Sequence, residues 1–304
     1  MTENLYTPAP AADFVLAFDL PGFRGRLVRL DSVSARALEA HALPEPAARI
    51  AAETLTLAAL LGSALKLDGR LTVQSKSDGA LDLAAADYYG AEDGRAAGLR
   101  GLARIDAERA KALGSAPSFA DLAGAGSLAI TIEPRRGEQS YQGIVALSPE
   151  GMAASAQTYF AQSEQLPTAI RLAAAPLYEP GKQARWRAGG IMLQATPDAR
   201  LREDDWERLT LFLKSLGDFE LLDVSLSAED LLWRLFHEDE IRVQPAEPLA
   251  FRCDCDAGRI ASVLRSYSRD DRAGLADADG LIRARCEFCG AVHVLAPGDL
   301  EASV

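Results

Sequence analysis

The sequence holds only three histidines, three methionines, three tryptophans and four cysteines in 304 residues. With so few histidines, a nucleophile and base pair must draw on His41, His237 or His293, and none stands in a recognisable catalytic motif. Scarce methionine excludes a Met-rich adaptable groove as a binding surface. Positive charge is also in deficit: 32 Lys and Arg against 44 Asp and Glu leave a formal net charge of -12. That field repels polyanions, so no nucleic-acid partner is expected. The most apolar run, Leu55 to Leu65, is about half the length needed to cross a bilayer, and no membrane partner is expected either. The opening MTENLYTPAP carries no basic cluster ahead of an apolar run and so lacks the architecture of a secretory signal. A cytoplasmic chain is the expectation. There is no GxxxxGK[ST] and no GxGxxG after a strand, so the glycines at Gly90 and from Gly98 to Gly101 support no nucleotide site.

What is present suffices for a sizeable core, with 48% hydrophobic and 25% charged residues. From Phe14 to about Thr196, strand-like and helix-like patterns mix without a repeated βαβ rhythm. This predicts an α+β fold, with an N-terminal mixed α/β-sheet domain rather than a doubly wound sheet. Strands are expected at 26–30, 71–75, 81–85 and 190–195, and a hairpin from Ser127 to Leu147 around a polar connection containing Gly137. Helical spacing of Ile50, Leu57, Leu60, Leu61 and Leu65 predicts a core helix over Pro46 to Lys66. A second helix is expected from Pro149 to Glu164. Ser163, Glu164 and Gln165 cluster before a proline, which invites an active-site reading; termination of that helix is the preferred one.

After Pro197 the composition turns acidic and amphipathic. From Pro197 to Arg242 there are 13 acids against six bases. Leu209, Phe212, Leu213 and Leu216 share one helical face, behind a first turn crowded with Glu203, Asp204, Asp205 and Glu207. Ser227 and Asp230 form a capping-box pattern ahead of Leu231, Leu232, Leu235 and Phe236. Helices this short are marginal alone and need a docking surface. The expected organisation is a core domain over 1–196, a helical metastable linker over 197–245 and a small C-terminal module over 246–304.

All four cysteines fall in that last segment, as Cys253-Asp-Cys255, 30 intervening residues, then Cys286-Glu-Phe-Cys289-Gly290. Two close pairs of thiolates fit the tetrahedral all-cysteine shell of Zn²⁺. No open ligand position would remain, so a hydrolytic centre is not expected. Gly290 permits a tight turn after the second pair. Arg252, Arg283 and Arg285 flank the pairs and are placed to offset the excess negative charge. His293 is a conceivable substitute ligand. A module of about 55 residues buries little core, so zinc worth on the order of 10 kcal/mol would decide whether it folds. A permanently closed structural zinc is the plain alternative. Thiolates that solvent reaches remain oxidisable, and oxidation would then unfold the module and release apolar surface.

Phe251-Arg-Cys-Asp-Cys255 and Cys286-Glu-Phe-Cys289-Gly290 resemble the redox-switch domain of the 33-kDa heat-shock chaperonin family. Tyr159 to Thr168, Gly189-Gly-Ile-Met-Leu-Gln194 and Leu231-Leu-Trp-Arg-Leu-Phe-His-Glu238 resemble its other motifs in the same order. The resemblance implies a non-enzymatic, ATP-independent holdase of the oxidative-stress response. Its reduced, zinc-bound form is inactive; oxidation releases the zinc and unfolds the C-terminal region, which then binds unfolding clients. It also implies Cys253, Cys255, Cys286 and Cys289 as ligands, disulfides between Cys253 and Cys255 and between Cys286 and Cys289, and a homodimer in the active form. The residues themselves allow any of three pairings. Two further readings compete: a constitutive zinc-ribbon adaptor, and a thiol oxidoreductase using Cys286 and Cys289. The first predicts steeply salt-dependent nucleic-acid binding and the second catalytic exchange on a model dithiol.

Overall fold

Period-two alternation gives the first strands two apolar faces. The computed structural model describes residues 12–92, 94–135, 139–178, 181, 184–197, 203–296 and 300. Strand β1 (Phe14–Leu20) turns Phe14, Leu16, Phe18 and Leu20 to one face and Val15 to the other. β2 (Phe23–Leu30) likewise divides Phe23 and Leu27 from Val28 and Leu30. A sheet buried on both sides follows. It continues through β3 (Gly69–Ser77), β4 (Leu81–Tyr89), β5 (Ala97–Ile105), β6 (Gly126–Pro134), β7 (Tyr141–Ala146), β8 (Thr168–Leu177) and β9 (Arg185–Ala195). Two later strands, β10 (Arg242–Val243) and β11 (Glu247–Phe251), join the same sheet. The order is β7-β6-β3-β4-β5-β11-β1-β2-β9-β8, with β10 also paired to β1. The fold is α+β, as expected, and the expected hairpin is β6–β7, pairing Ser127 with Ala146. Residues 136–138 of its connection, including Gly137, lie outside the described residues.

Helices cover the two faces. α1 (Ser32–Glu39) and α2 (Glu45–Ala64) pack on the Val15 side, with α3 (Ala107–Ala112) and α4 (Phe119–Ala123) between β5 and β6. Among the described residues, α2 alone is long and apolar enough by length and composition to pass for a membrane span. The alanines ahead of Leu55 lengthen the apolar helix beyond the Leu55 to Leu65 run. Yet 78% of its apolar window is buried inside the fold, which makes it a core helix. α5 (Met152–Tyr159) is shorter than the expected 149–164 helix. Gly151, at φ +115, opens it after Pro149. Phe160–Glu164 then widens into a π-turn, closed by Gln165 in the left-handed region. The Tyr159 hydroxyl donates to Glu164 Oε1 at 3.0 Å. Glu164 therefore orders the end of the helix, in keeping with the structural reading of this cluster.

The acidic segment covers the Phe14 side as α6 (Glu203–Ser215), α7 (Asp218–Leu222) and α8 (Ala228–Phe236). Leu209, Leu213, Leu216, Leu231, Leu232 and Phe236 are buried against Phe14, Leu16, Phe18, Ile191 and Leu193. Leu211, Phe219 and Trp233 remain exposed. Phe236 stacks on Phe18 with ring centroids 5.7 Å apart. The Phe18 ring lies so close over Gly25 that a Cβ there would come within 2.0 Å of it. Arg29, buried on the same face, donates to the carbonyls of Leu221 (3.1 Å), Leu226 (2.5 Å) and Glu220 (3.2 Å). These bonds fasten the end of α7 to β2. Behind the cysteines, α9 (Ala257–Leu264), α10 (Arg269–Gly274) and the hairpin β12 (Ile282–Arg285) with β13 (Val292–Leu295) complete the described elements.

One carboxylate in α2 is held in an unfavourable state. Burial, with Asp218 adding to it against Arg49 and Arg171, pushes Glu53 up from 4.5 to about 7. The folded chain therefore holds a proton that the unfolded chain releases between those values. Stability from this group is complete below 4.5 and is lost as pH rises through 7. Glu53→Gln is expected to flatten that fall and to raise stability at pH 8 by about 2 kcal/mol. Urea unfolding at pH 5 and pH 8 checks it; equal slopes with pH in the two proteins would contradict it.

Candidate metal centre

Two separate pieces of chain deliver the four thiols. β11 runs parallel to β5, with Leu249 opposite Ala97 and Phe251 opposite Leu99, and the Arg252 N–H donates to Leu99 O at 2.8 Å. Cys253 and Cys255 thus leave directly from the large sheet. The other pair sits in the turn between β12 and β13. The Cys286 N–H donates to Ala291 O at 2.8 Å, and the Gly290 N–H to Cys286 O at 2.9 Å. Gly290 adopts φ +73, as the tight turn requires, and a Cβ on it would meet Ala40 Cβ at 3.0 Å.

The four Sγ atoms lie within 4.8 Å of one another and could hold a metal ion. The contacts between the two pairs are Cys253 to Cys286 at 3.7 Å and Cys255 to Cys289 at 3.4 Å. A tetrahedral shell with Zn–S bonds of about 2.3 Å places sulfurs about 3.8 Å apart, so the donor set fits zinc in number, chemistry and spacing. Around it, among the described residues, the module's own apolar cluster has Ala261, Ile282, Leu295 and Leu300 buried. His293 Nε2 lies 3.3 Å from Cys255 Sγ, beside the sulfurs and not in place of one. His237 is an exposed helix-terminal residue at the end of α8.

The local environment separates the thiols. Burial pushes Cys253 and Cys255 up. Burial acts in the same sense on Cys286, yet N–H donation from Cys289 and Phe288 outweighs it and leaves this thiol below its usual value. Cys286 also borders a cleft of about 540 Å³, shared with His41, Leu102 and Arg104.

The flanking arginines do not play the expected part. Arg283 pairs with Asp277 and Asp279 at 2.6 and 2.7 Å, Arg252 with Asp254 at 2.8 Å, and Arg285 donates to Ala40 O. A guanidinium that does reach a sulfur is that of Arg100, from β5, with Nη1 3.9 Å from Cys253 Sγ. Adjacency in sequence was a poor guide because Arg252 and Arg283 turn to acids and Arg285 to the Ala40 carbonyl. A position 153 residues away left no local signal.

Gly290→Ala is expected to weaken zinc binding about fivefold, through a left-handed backbone that alanine resists. Competition with a chromogenic chelator reads this, and unchanged affinity would contradict it.

The comparisons with known proteins agree with this arrangement. A sequence profile of the family described as "Hsp33 protein" matches residues 15–296. The chain belongs to the Hsp33 family. It is 37% identical over 293 residues to the "33 kDa chaperonin" of Caulobacter vibrioides, covering 94% of this chain and 95% of that one. It is 35% identical over 270 residues to the "33 kDa chaperonin" of Escherichia coli, covering 88% and 86%. The crystal structure of the Thermotoga maritima 33 kDa chaperonin shares the fold, at TM-score 0.74 and 20% identity over 95% of this chain and 96% of that one. These relatives carry the name of a chaperone.

The Hsp33-like motifs have physical roles here. In Gly189-Gly190, a Cβ on Gly189 would stand 3.2 Å from Leu221 O, and one on Gly190 would stand 2.8 Å from Thr56 Cγ2. The paired glycines let α7 and α2 approach opposite faces of β9. Leu231, Leu232 and Phe236 of the third motif are the buried anchors of α8.

Proposed function

We propose that this Hsp33-family chain is a redox-regulated, ATP-independent holdase that binds unfolded or partly folded clients. The observation that carries it is the gathering of four thiols in a module with almost no apolar core of its own. In the reduced state Cys253, Cys255, Cys286 and Cys289 hold one zinc ion, which supplies bond energy that closes the module. Peroxide takes two electrons from each thiol pair and leaves as water; the sulfurs join as Cys253–Cys255 and Cys286–Cys289, the pairing the family resemblance implies. Disulfide sulfurs are no longer thiolate ligands, so zinc is released and the module loses its staple.

The unfolding spreads by covalent continuity. Cys253 follows the end of β11 by two residues, and β10 and β11 both pair with β1. β1 in turn carries Phe14, Leu16 and Phe18, the residues on which the acidic helices lie. On this reading residues 197–245 are the metastable linker between the core domain and the module at 246–304, and the oxidised form dimerises in the cytoplasm. The test is light scattering of a heat-unfolding client. Suppression by peroxide-treated protein, lost again on treatment with dithiothreitol, is the expected result; equal suppression by the reduced protein would refute redox control.

A further inference from the structure

One guanidinium joins the cysteine module to the large sheet. Arg100, in β5, is 12% exposed and bonds Asp87 of β4 through Nε at 2.8 Å and Nη2 at 2.7 Å. Asp87 is 4% exposed and also accepts from Thr72 Oγ1 at 2.6 Å. The guanidinium plane is therefore fixed by the sheet alone. Its face meets the Phe288 ring, 4.0 Å from the centroid, while Tyr89 lies 5.4 Å away. Phe288 stands between Cys286 and Cys289 in sequence, so its ring anchors the turn that carries both thiols. The same group reaches the other pair, at Cys253 Sγ.

We propose that Arg100 is a positioning residue: it pins the cysteine-bearing turn to the sheet through Phe288 and so sets how readily the thiols are reached. An ion pair with Asp87 alone would explain a buried arginine. It would not explain why the guanidinium also meets an aromatic ring from the metal-binding turn and a sulfur from β11's continuation. Stacking of this kind strengthens when it is desolvated and needs a planar cation, which lysine lacks. The consequence for oxidation rests on the redox function proposed above; the docking itself does not.

The test is the rate at which the full-length, reduced, zinc-loaded protein reacts with Ellman's reagent. Arg100→Lys and Phe288→Leu are each expected to react about tenfold faster than the parent. The double variant should react no faster than either single, because both remove one contact. Phe288→Tyr keeps a ring over the guanidinium and should restore the parental rate. Tryptophan fluorescence, to which Trp206 stacked on Phe23 at 5.9 Å contributes with Trp186 and Trp233, should be unchanged in Phe288→Leu. Parental rates in either single variant, single effects that multiply in the double, or no rescue by tyrosine would overturn the assignment. A separate arm follows zinc release by peroxide. If the parent releases none while the Ellman rates shift as stated, the docking stands and the redox reading falls.

Discussion

Cys286→Ser is expected to abolish stoichiometric zinc binding and to unfold the C-terminal module under reducing conditions. Removing one thiolate leaves three sulfurs and opens the shell. The module's apolar cluster offers four buried residues in compensation, whereas a four-thiolate zinc contributes on the order of 10 kcal/mol. A zinc ion held by the four thiols would thus outweigh that cluster as a stabilising influence. His293, 3.3 Å from Cys255, offers a nitrogen, but it is anchored in β13 with its backbone paired to Ala284 and cannot simply move into the vacated place. The variant should contain less than a tenth of the parental zinc and show rapid amide exchange from about residue 253 onward. It should also hold clients without peroxide. Retained zinc with parental exchange would show that three thiolates suffice and that the module does not need the full shell.

Phe236→Ala is expected to free the linker while leaving the zinc in place. The ring is fully buried, stacks on Phe18 and lies 6.4 Å from the Phe212 ring. Truncating a buried phenylalanine costs about 3–5 kcal/mol. α8 has nine residues and little stability of its own, so that loss falls mainly on its docking. Its C-terminal side is still tied by Arg208 to Asp239 at 2.6 Å, but the tie is partly exposed and worth far less. The reduced variant should suppress client aggregation at a level close to the oxidised parent while binding one zinc. Parental inactivity with full zinc content would mean that linker release is not what creates the client surface.

Much of this was legible where the signal is local. The β6–β7 hairpin announces itself by alternation, α2 by apolar spacing on an alanine background, and α8 by its Ser227 cap followed by a leucine and phenylalanine stripe. The cysteine spacing pointed to one four-thiol cluster, and the structure brings those sulfurs within 4.8 Å of one another. What stayed hidden depends on distant partners. β11 is five residues long and runs parallel to β5, about 150 positions earlier, with nothing in Glu247–Phe251 that marks its neighbour. Arg29 and Arg100 look like ordinary strand residues until the fold sets one under carbonyls of the acidic segment and the other under Phe288. The need of the acidic helices for a docking surface could be read from their length; that the surface is Phe14, Leu16 and Phe18 could not.

The central claim is that losing the metal and gaining the client surface are one event. Peroxide added to the reduced, zinc-loaded protein, with a chromogenic chelator and a heat-unfolding client in the same cuvette, measures both together. The two time courses, chelator absorbance and suppression of light scattering, should rise in step and be reversed by dithiothreitol with zinc resupplied. Complete zinc release from a protein that leaves the client to aggregate would contradict the account.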